Sequence, residues 1–232
     1  MIRIESVSAG YGNFEAIANI SAEIPSNSMT ALLGHNGAGK STLISALSGV
    51  LRRAAGSVVI DDEEFTIDGD RVRPPGLAVV PQERGTFPSL TIGENVRLGL
   101  MSAKVKDRAV FNERYELAAE YFPIVKDRRN ELARNLSGGQ RQMVSIARAL
   151  ASGHKTLLLD EPSVGLAPRL VEQMMDTFAR LREDGYTMLL VEQNVAQSLR
   201  YADHVLVMKS GSLIHSGPAD EFRKMESLWG MF

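Results

Sequence analysis

Cysteine is absent from the 232 residues. That excludes a disulfide framework, a thiolate metal site and a cysteine nucleophile, and it suits a reducing compartment. Net charge is nearly absent as well: 26 Lys and Arg stand against 28 Asp and Glu, a formal −2. Such a balance is no electrostatic lure for nucleic acid or for an anionic membrane. Long apolar runs are missing. Segments such as Leu157-Leu158-Leu159 fall far short of the ~18 residues that a spanning helix needs. The first residues, MIRIESVSAGYG, lack a basic start and an apolar core, so they are not read as a signal peptide. Internal repeats, low-complexity stretches and flexible linkers are not found either. What is present is an ordinary globular composition, 44% hydrophobic and 23% charged. At roughly 150 residues per domain, the length fits one large domain or one with a sizeable insertion.

Strand-like alternation opens the chain at Ile2, Ile4 and Val7, with further strands expected over Ala18–Ile24 and Gly56–Ile60. These predict a small antiparallel layer. Strand then alternates with helix. Short apolar strands are expected at Met29–Leu33, Leu77–Val80, Thr156–Leu159, Thr187–Val191 and His204–Met208. Helices are expected over Lys40–Val50, Pro168–Arg182 and Val195–Leu199. Such alternation predicts an α/β fold with a mostly parallel sheet. Residues 88–151 read as mainly helical, with apolar spacing at Leu117, Ala118, Tyr121 and Phe122, and are taken as an inserted subdomain of a single 1–232 domain.

Three motifs carry chemistry. Gly34-His35-Asn36-Gly37-Ala38-Gly39-Lys40-Ser41, followed by Thr42, fits G-x-x-x-x-G-K-[ST] between a strand and a helix. Its glycines let successive N–H groups face one anion, and the helix N-terminus adds partial positive charge. Lys40 is expected to bridge the β- and γ-phosphates and the Ser41 hydroxyl to ligate Mg²⁺. His35 falls at a free position of the pattern. A second motif, Leu158-Leu159-Asp160-Glu161, ends a buried strand in two carboxylates. At the C-terminal edge of a parallel strand they face the ligand crevice, Asp160 toward Mg²⁺ and Glu161 as general base. The third, Leu136-Ser137-Gly138-Gly139-Gln140, opens a helix over Gln140–Ala151. Ser137 can cap that helix and donate its hydroxyl to a phosphate.

A P-loop, then LSGGQ, then LLLDEP resembles the ATP-binding-cassette (ABC) ATPase family over essentially the whole chain. The resemblance implies a P-loop NTPase (RecA-like) core with an antiparallel β layer and a helical insertion. It implies ATP and Mg²⁺ as ligands. Tyr11 matches the aromatic that stacks on adenine, and Gln82 matches the glutamine that touches Mg²⁺ and the attacking water and couples to the membrane partner. Gly34, Asn36, Gly37, Ala38, Gly39, Lys40, Ser41 and Thr42 match the phosphate loop; Ser137, Gly138, Gly139 and Gln140 match the signature. Two cassettes pair head to tail in that family, with ATP between one P-loop and the other chain's signature helix. The partners implied are a second cassette (the same chain or another), separate permease chains and, indirectly, a periplasmic binding protein. The implied location is cytoplasmic, on the inner face of the membrane, with no nucleic acid involved.

The sequence departs from the family pattern informatively. Gln193, within Leu189-Leu190-Val191-Glu192-Gln193-Asn194, occupies the switch-histidine position, where an amide can hydrogen-bond the γ-phosphate but cannot become a cation. Catalysis is therefore assigned to Glu161, Gln82 and Gln193, with Glu161 the main activator of water. Ser163-Val164-Gly165-Leu166 replaces the usual Ser-Ala-Leu-Asp loop. The strings EPSVGLAP and LLVEQN, and Phe122-Pro123 followed by Lys126-Asp127-Arg128-Arg129-Asn130, resemble one ATPase subunit of branched-chain amino-acid importers. That subfamily commonly has Glu at the Gln82 position and LSGGE. The stretch Phe65–Gly76 also reads as shortened, and Pro74-Pro75-Gly76 cannot hold a helix.

Other readings are weighed beside this one. Urea and short-amide importers share the same strings. Soluble, non-transport ABC proteins of DNA repair carry a long coiled coil between P-loop and signature, and those of translation carry tandem cassettes; neither feature is found here. A small-molecule kinase with a P-loop has no reason to carry LSGGQ. Met174 and Met175 read as core filler, Arg52-Arg53 as a solvated face, Arg128-Arg129 as a solvated face or a partner surface, Trp229 as a packing anchor, and His154, His204 and His215 as incidental.

Overall fold

In order along the chain the elements are β1 (Ile2–Tyr11), β2 (Phe14–Ile24), β3 (Met29–Leu33), α1 (Lys40–Leu47), β4 (Arg53–Ile60), β5 (Glu63–Ile67) and β6 (Leu77–Val80). There follow α2 (Ile92–Ser102), α3 (Arg108–Tyr121), α4 (Ile124–Asp127), α5 (Gly138–Ala151), β7 (Thr156–Asp160) and α6 (Pro168–Glu183). The chain closes with β8 (Thr187–Val191), α7 (Val195–Tyr201), β9 (His204–Lys209), β10 (Ser212–Pro218) and α8 (Ala219–Arg223). The computed structural model describes residues 1–68, 74–82, 85–103 and 107–224. Trp229 lies outside the described residues. Two compact units result: Met1–Leu77 with Leu181–Phe232, and Ala78–Arg180.

In the first unit, β1 buries Ile2 and Ile4 and then Val7, one residue out of phase. A bulge accounts for it: Ser6 takes φ 51°, and the pairing on both sides of β1 shifts register there. The antiparallel layer has four strands, ordered β2-β1-β4-β5, one more than the sequence suggested. The missed strand, β5, turns back through Asp61-Asp62 at φ 49° and 67°, the left-handed pair of a type I′ hairpin. Part of the stretch read as shortened, Phe65–Ile67, thus belongs to a strand.

The same unit holds β3, whose five residues are all buried, with β8 and β9 parallel on either side. Apolar runs without alternation are what a strand covered on both faces requires. Asp203 fastens the start of β3. Its Oδ2 accepts the Met29 N–H at 2.9 Å, and its Oδ1 accepts from Arg182 at 3.0 Å. Antiparallel to β9 runs β10, which the sequence reading did not include. Its turn, Ser210-Gly211, is another left-handed pair at φ 48° and 80°.

In the second unit, β6 and β7 are neighbours and four helices cluster. Thr91 and Glu94 form a capping box at the start of α2, Asp107 caps α3, and Ser137 with Gln140 caps α5. Helices α2 and α5 meet closely at Gly99, where a Cβ would fall 2.0 Å from the Arg148 carbonyl oxygen. Met174 and Met175 are buried, as core filler should be.

Helix α1 ends at Leu47 rather than Val50, because the chain turns at Gly49 with φ 68°. Arg53 is exposed, as a solvated face should be, and it also donates to the Gly12 carbonyl at 2.6 Å, which pins the β1–β2 turn. Arg128 makes a two-pronged ion pair with Glu131, and Arg129 lies over the Tyr115 ring at 4.9 Å. His204 and His215 are also engaged, the first 3.2 Å from Ser216 Oγ and the second against Phe222.

Burial, and secondarily the neighbouring His215, holds the His204 pKa below its ordinary 6.5. The folded chain therefore binds that proton less readily than the unfolded chain, so stability is full above 6.5 and is lost as pH falls below it. His204→Gln, neutral throughout, should show a smaller drop in melting temperature between about pH 7.5 and about pH 5.5 than the parent chain. Equal drops would show that His204 does not contribute.

Candidate nucleotide site

The phosphate loop belongs to the first unit. Gly34, Gly37 and Gly39 take φ of 151°, 81° and 101°, values that suit residues without a Cβ. At two of them space is also lacking. A Cβ on Gly34 would meet the Met208 carbonyl oxygen at 2.3 Å, and one on Gly39 would meet Ile17 Cγ2 at 2.4 Å. The loop is thus pressed from behind by β2 and β9, while His35, Asn36 and Gly37 are exposed. Gly211 completes the backing: its N–H donates to the Ala38 carbonyl and its carbonyl accepts from Ala18.

Helix α1 starts at Lys40 with Gly39 as N-cap and no capping side chain. Its first-turn N–H groups therefore face outward as an anion-binding end. Lys40 is 5% exposed and donates Nζ to the Gly34 and His35 carbonyls at 2.7 and 3.0 Å. Those bonds hold the ammonium over its own loop. Ser41 is exposed on the first turn, and Thr42 is buried beneath. Tyr11 stands at the end of β1, 53% exposed, and Gln193 is exposed after β8. Asn194, beside it, caps α7 by accepting from the Gln197 N–H.

The second unit holds the carboxylates and the signature. β7 is buried to its end, and Asp160 and Glu161 are 8% and 7% exposed. Glu161 adopts φ 45°, a left-handed conformation that costs a side-chain-bearing residue of order 1 kcal/mol or more. Gln82, after β6, donates Nε2 to Glu161 Oε2 at 2.7 Å. Two residues nominated independently from sequence are thus directly bonded. That bond uses the amide nitrogen of Gln82 and leaves its carbonyl oxygen as a donor atom for a cation. Within this unit Gln82 and Asp160 both offer oxygen, the donor type that a hard divalent cation takes.

Ser137 Oγ accepts from the Gln140 N–H at 3.3 Å, and Gln140 returns the bond to the Ser137 N–H at 3.0 Å. The cap expected of Ser137 is present, and the Gln140 side chain serves it. Gly138 faces open space, whereas Gly139 packs against Leu170. Gln82, Phe87, Gly138, Arg141, Gln142 and Val164 border one cavity of about 720 Å³. Asn95, which the sequence reading passed over, is wholly buried beside it. Its amide holds the Phe87 N–H and the Phe87, Leu90 and Thr91 carbonyls.

A glycine loop backed against a sheet, a buried lysine and a strand ending in Asp-Glu define a P-loop ATPase, and LSGGQ narrows the class to ATP-binding cassettes. The ABC transporter family profile matches residues 17–164. The chain belongs to the ABC transporter family, whose cassettes bind and hydrolyse ATP. It is 38% identical to the high-affinity branched-chain amino acid transport ATP-binding protein BraG of Pseudomonas aeruginosa, over 92% of this chain and 91% of BraG. It is 35% identical to the probable branched-chain amino acid transport ATP-binding protein LivF of Archaeoglobus fulgidus, over 97% and 95%. The solved dimer of the ATP-binding cassette MJ0796 bound to ADP and Pi has a TM-score of 0.80 at 25% identity, covering 94% of this chain and 99% of that one.

Crowding of Gly39 by the Ile17 side chain has a measurable consequence. Gly39→Ala should destabilise the chain by about 1–3 kcal/mol and weaken ATP binding at least about tenfold. Gly37→Ala, with open space around it, should cost only about 1–2 kcal/mol of conformational strain. Urea unfolding and equilibrium ATP titration of both variants check the contrast.

Proposed function

We propose that the chain is the ATP-hydrolysing subunit of an importer of branched-chain or other hydrophobic amino acids. The similarity to BraG over nearly the full length of both chains carries the cargo assignment. In this reading the protein is cytoplasmic, on the inner face of the membrane, and no described helix is long and apolar enough to cross it. It works with a second cassette, permease chains and, through them, a periplasmic binding protein. The MJ0796 dimer supports the pairing of cassettes. Residues 88–151 serve as the signature-bearing helical insert of the cassette.

The phosphates of ATP are cradled by the N–H groups of Gly37–Ser41, with Lys40 on the β- and γ-phosphates and Tyr11 on the base. Ser41, Asp160 and Gln82 would hold Mg²⁺, whose charge would offset that of the phosphate oxygens. Glu161 accepts the proton of the attacking water, and Gln82 fixes the orientation of its carboxylate. Gln193 donates its amide N–H to the γ-phosphate. Ser137 and the N-terminus of α5 bind the γ-phosphate held by the opposite cassette, so ATP clamps the pair and hydrolysis releases it.

Glu161→Gln should lower hydrolysis by about a hundredfold or more while sparing ATP binding, and it should accumulate an ATP-bound dimer on sizing. Hydrolysis at the parental rate would remove Glu161 from the role of base. Labelled leucine and labelled urea uptake, in cells with and without the protein, test the cargo. Loss of leucine uptake alone is expected; loss of urea uptake alone would move the protein to the short-amide branch.

A further inference from the structure

Among the described residues of the first unit, Phe14 at the start of β2 is the most exposed of the large hydrophobic side chains, at 69%. Its cross-strand partner is Tyr11, itself 53% exposed. Directly paired residues of an antiparallel hairpin carry their side chains on the same face, with Cβ atoms about 5 Å apart. Two aromatic rings therefore stand together at one hairpin tip. That tip is rigidly built. Gly12 turns at φ 55°, Arg53 bonds its carbonyl, and Gly10 lies so close to β2 that a Cβ would fall 2.0 Å from the Phe14 carbonyl oxygen.

The hairpin is joined to the phosphate loop within the same unit. Ile17 and the Ala16 carbonyl, two and three residues along β2, press against Gly39. Gly211 links the Ala18 N–H to the Ala38 carbonyl. Three residues of strand span about 10 Å, a distance that a ribose and its attached phosphates bridge. A nucleotide whose phosphates occupy the loop would carry its base to the paired rings. Aromatic faces bind bases by stacking, and a purine offers the larger surface.

We propose that Phe14 is a second base-binding residue of the nucleotide site, making with Tyr11 a two-ring face for the purine of ATP. The proposal rests on the nucleotide-site reading above, and its test separates the two. ATP and inorganic tripolyphosphate are titrated into the full chain and into Phe14→Ala and Phe14→Trp. Phe14→Ala should bind ATP about fivefold or more weakly, with tripolyphosphate affinity and melting temperature unchanged. Phe14→Trp should keep the parental ATP affinity, because it keeps a ring. Parental ATP affinity in Phe14→Ala would overturn the proposal. So would an equal weakening toward tripolyphosphate, which would mean a disturbed phosphate loop rather than a lost base contact. A parent chain that binds tripolyphosphate but not ATP would overturn the nucleotide reading and this proposal together.

Discussion

A phosphate-binding loop must turn its N–H groups outward, and so its own backbone must be held from behind without side chains in the way. Here that constraint is met by close contact from both backbone and side chain. Gly34 lies against the Met208 carbonyl, Gly39 against Ile17, and Gly211 donates to Ala38. The β2 strand, the β9–β10 turn and the helix start at Lys40 are all fixed by that junction. The two β layers of the first unit thus have a common purpose: one supplies β2 and the other supplies β3, β9 and the turn. The loop is the place where both touch the same few residues.

Much of this was legible in the sequence because the chemistry requires particular residue types at fixed spacing. Glycines at 34, 37 and 39, Lys40, the Asp160-Glu161 strand end and Ser137-Gly138-Gly139 carry backbone or charge requirements that few alternatives satisfy. Buried parallel strands were legible for a similar reason. Met29–Leu33, Leu77–Val80 and Thr187–Val191 match their expected bounds because a strand covered on both faces reads as a nearly continuous apolar run. Strands exposed on one side were less visible. β5 and β10 alternate weakly, and their signals lay in the turns, Asp61-Asp62 and Ser210-Gly211, whose left-handed geometry sequence only hints at.

Side-chain partners were the least legible. Nothing in the pairs Arg52-Arg53 and Arg128-Arg129 says that one arginine closes a hairpin and another forks onto Glu131. Asn95 is a sharper case. A lone asparagine among apolar helix positions has no local signature, yet its amide satisfies four backbone groups of the loop before α2. Such a residue is found only when the backbone it serves has been placed, because its partners belong to an irregular segment without periodicity.

The division of labour proposed for Glu161, Gln82 and Gln193 follows from what their side chains can do. Two of the three are amides, which orient and donate but do not exchange a proton near neutrality. Proton transfer from water then has one candidate, the Glu161 carboxylate. The geometry around it is consistent with that concentration of function. Its backbone is held at φ 45°, its carbonyl accepts from the Val164 N–H, and its Oε2 accepts from Gln82 at 2.7 Å. A carboxylate fixed at both backbone and side chain loses little freedom when a water molecule must be met in one orientation. Under the proposed function, in a cassette with an amide at the switch position, that prior ordering would replace assistance that a second titratable group would give.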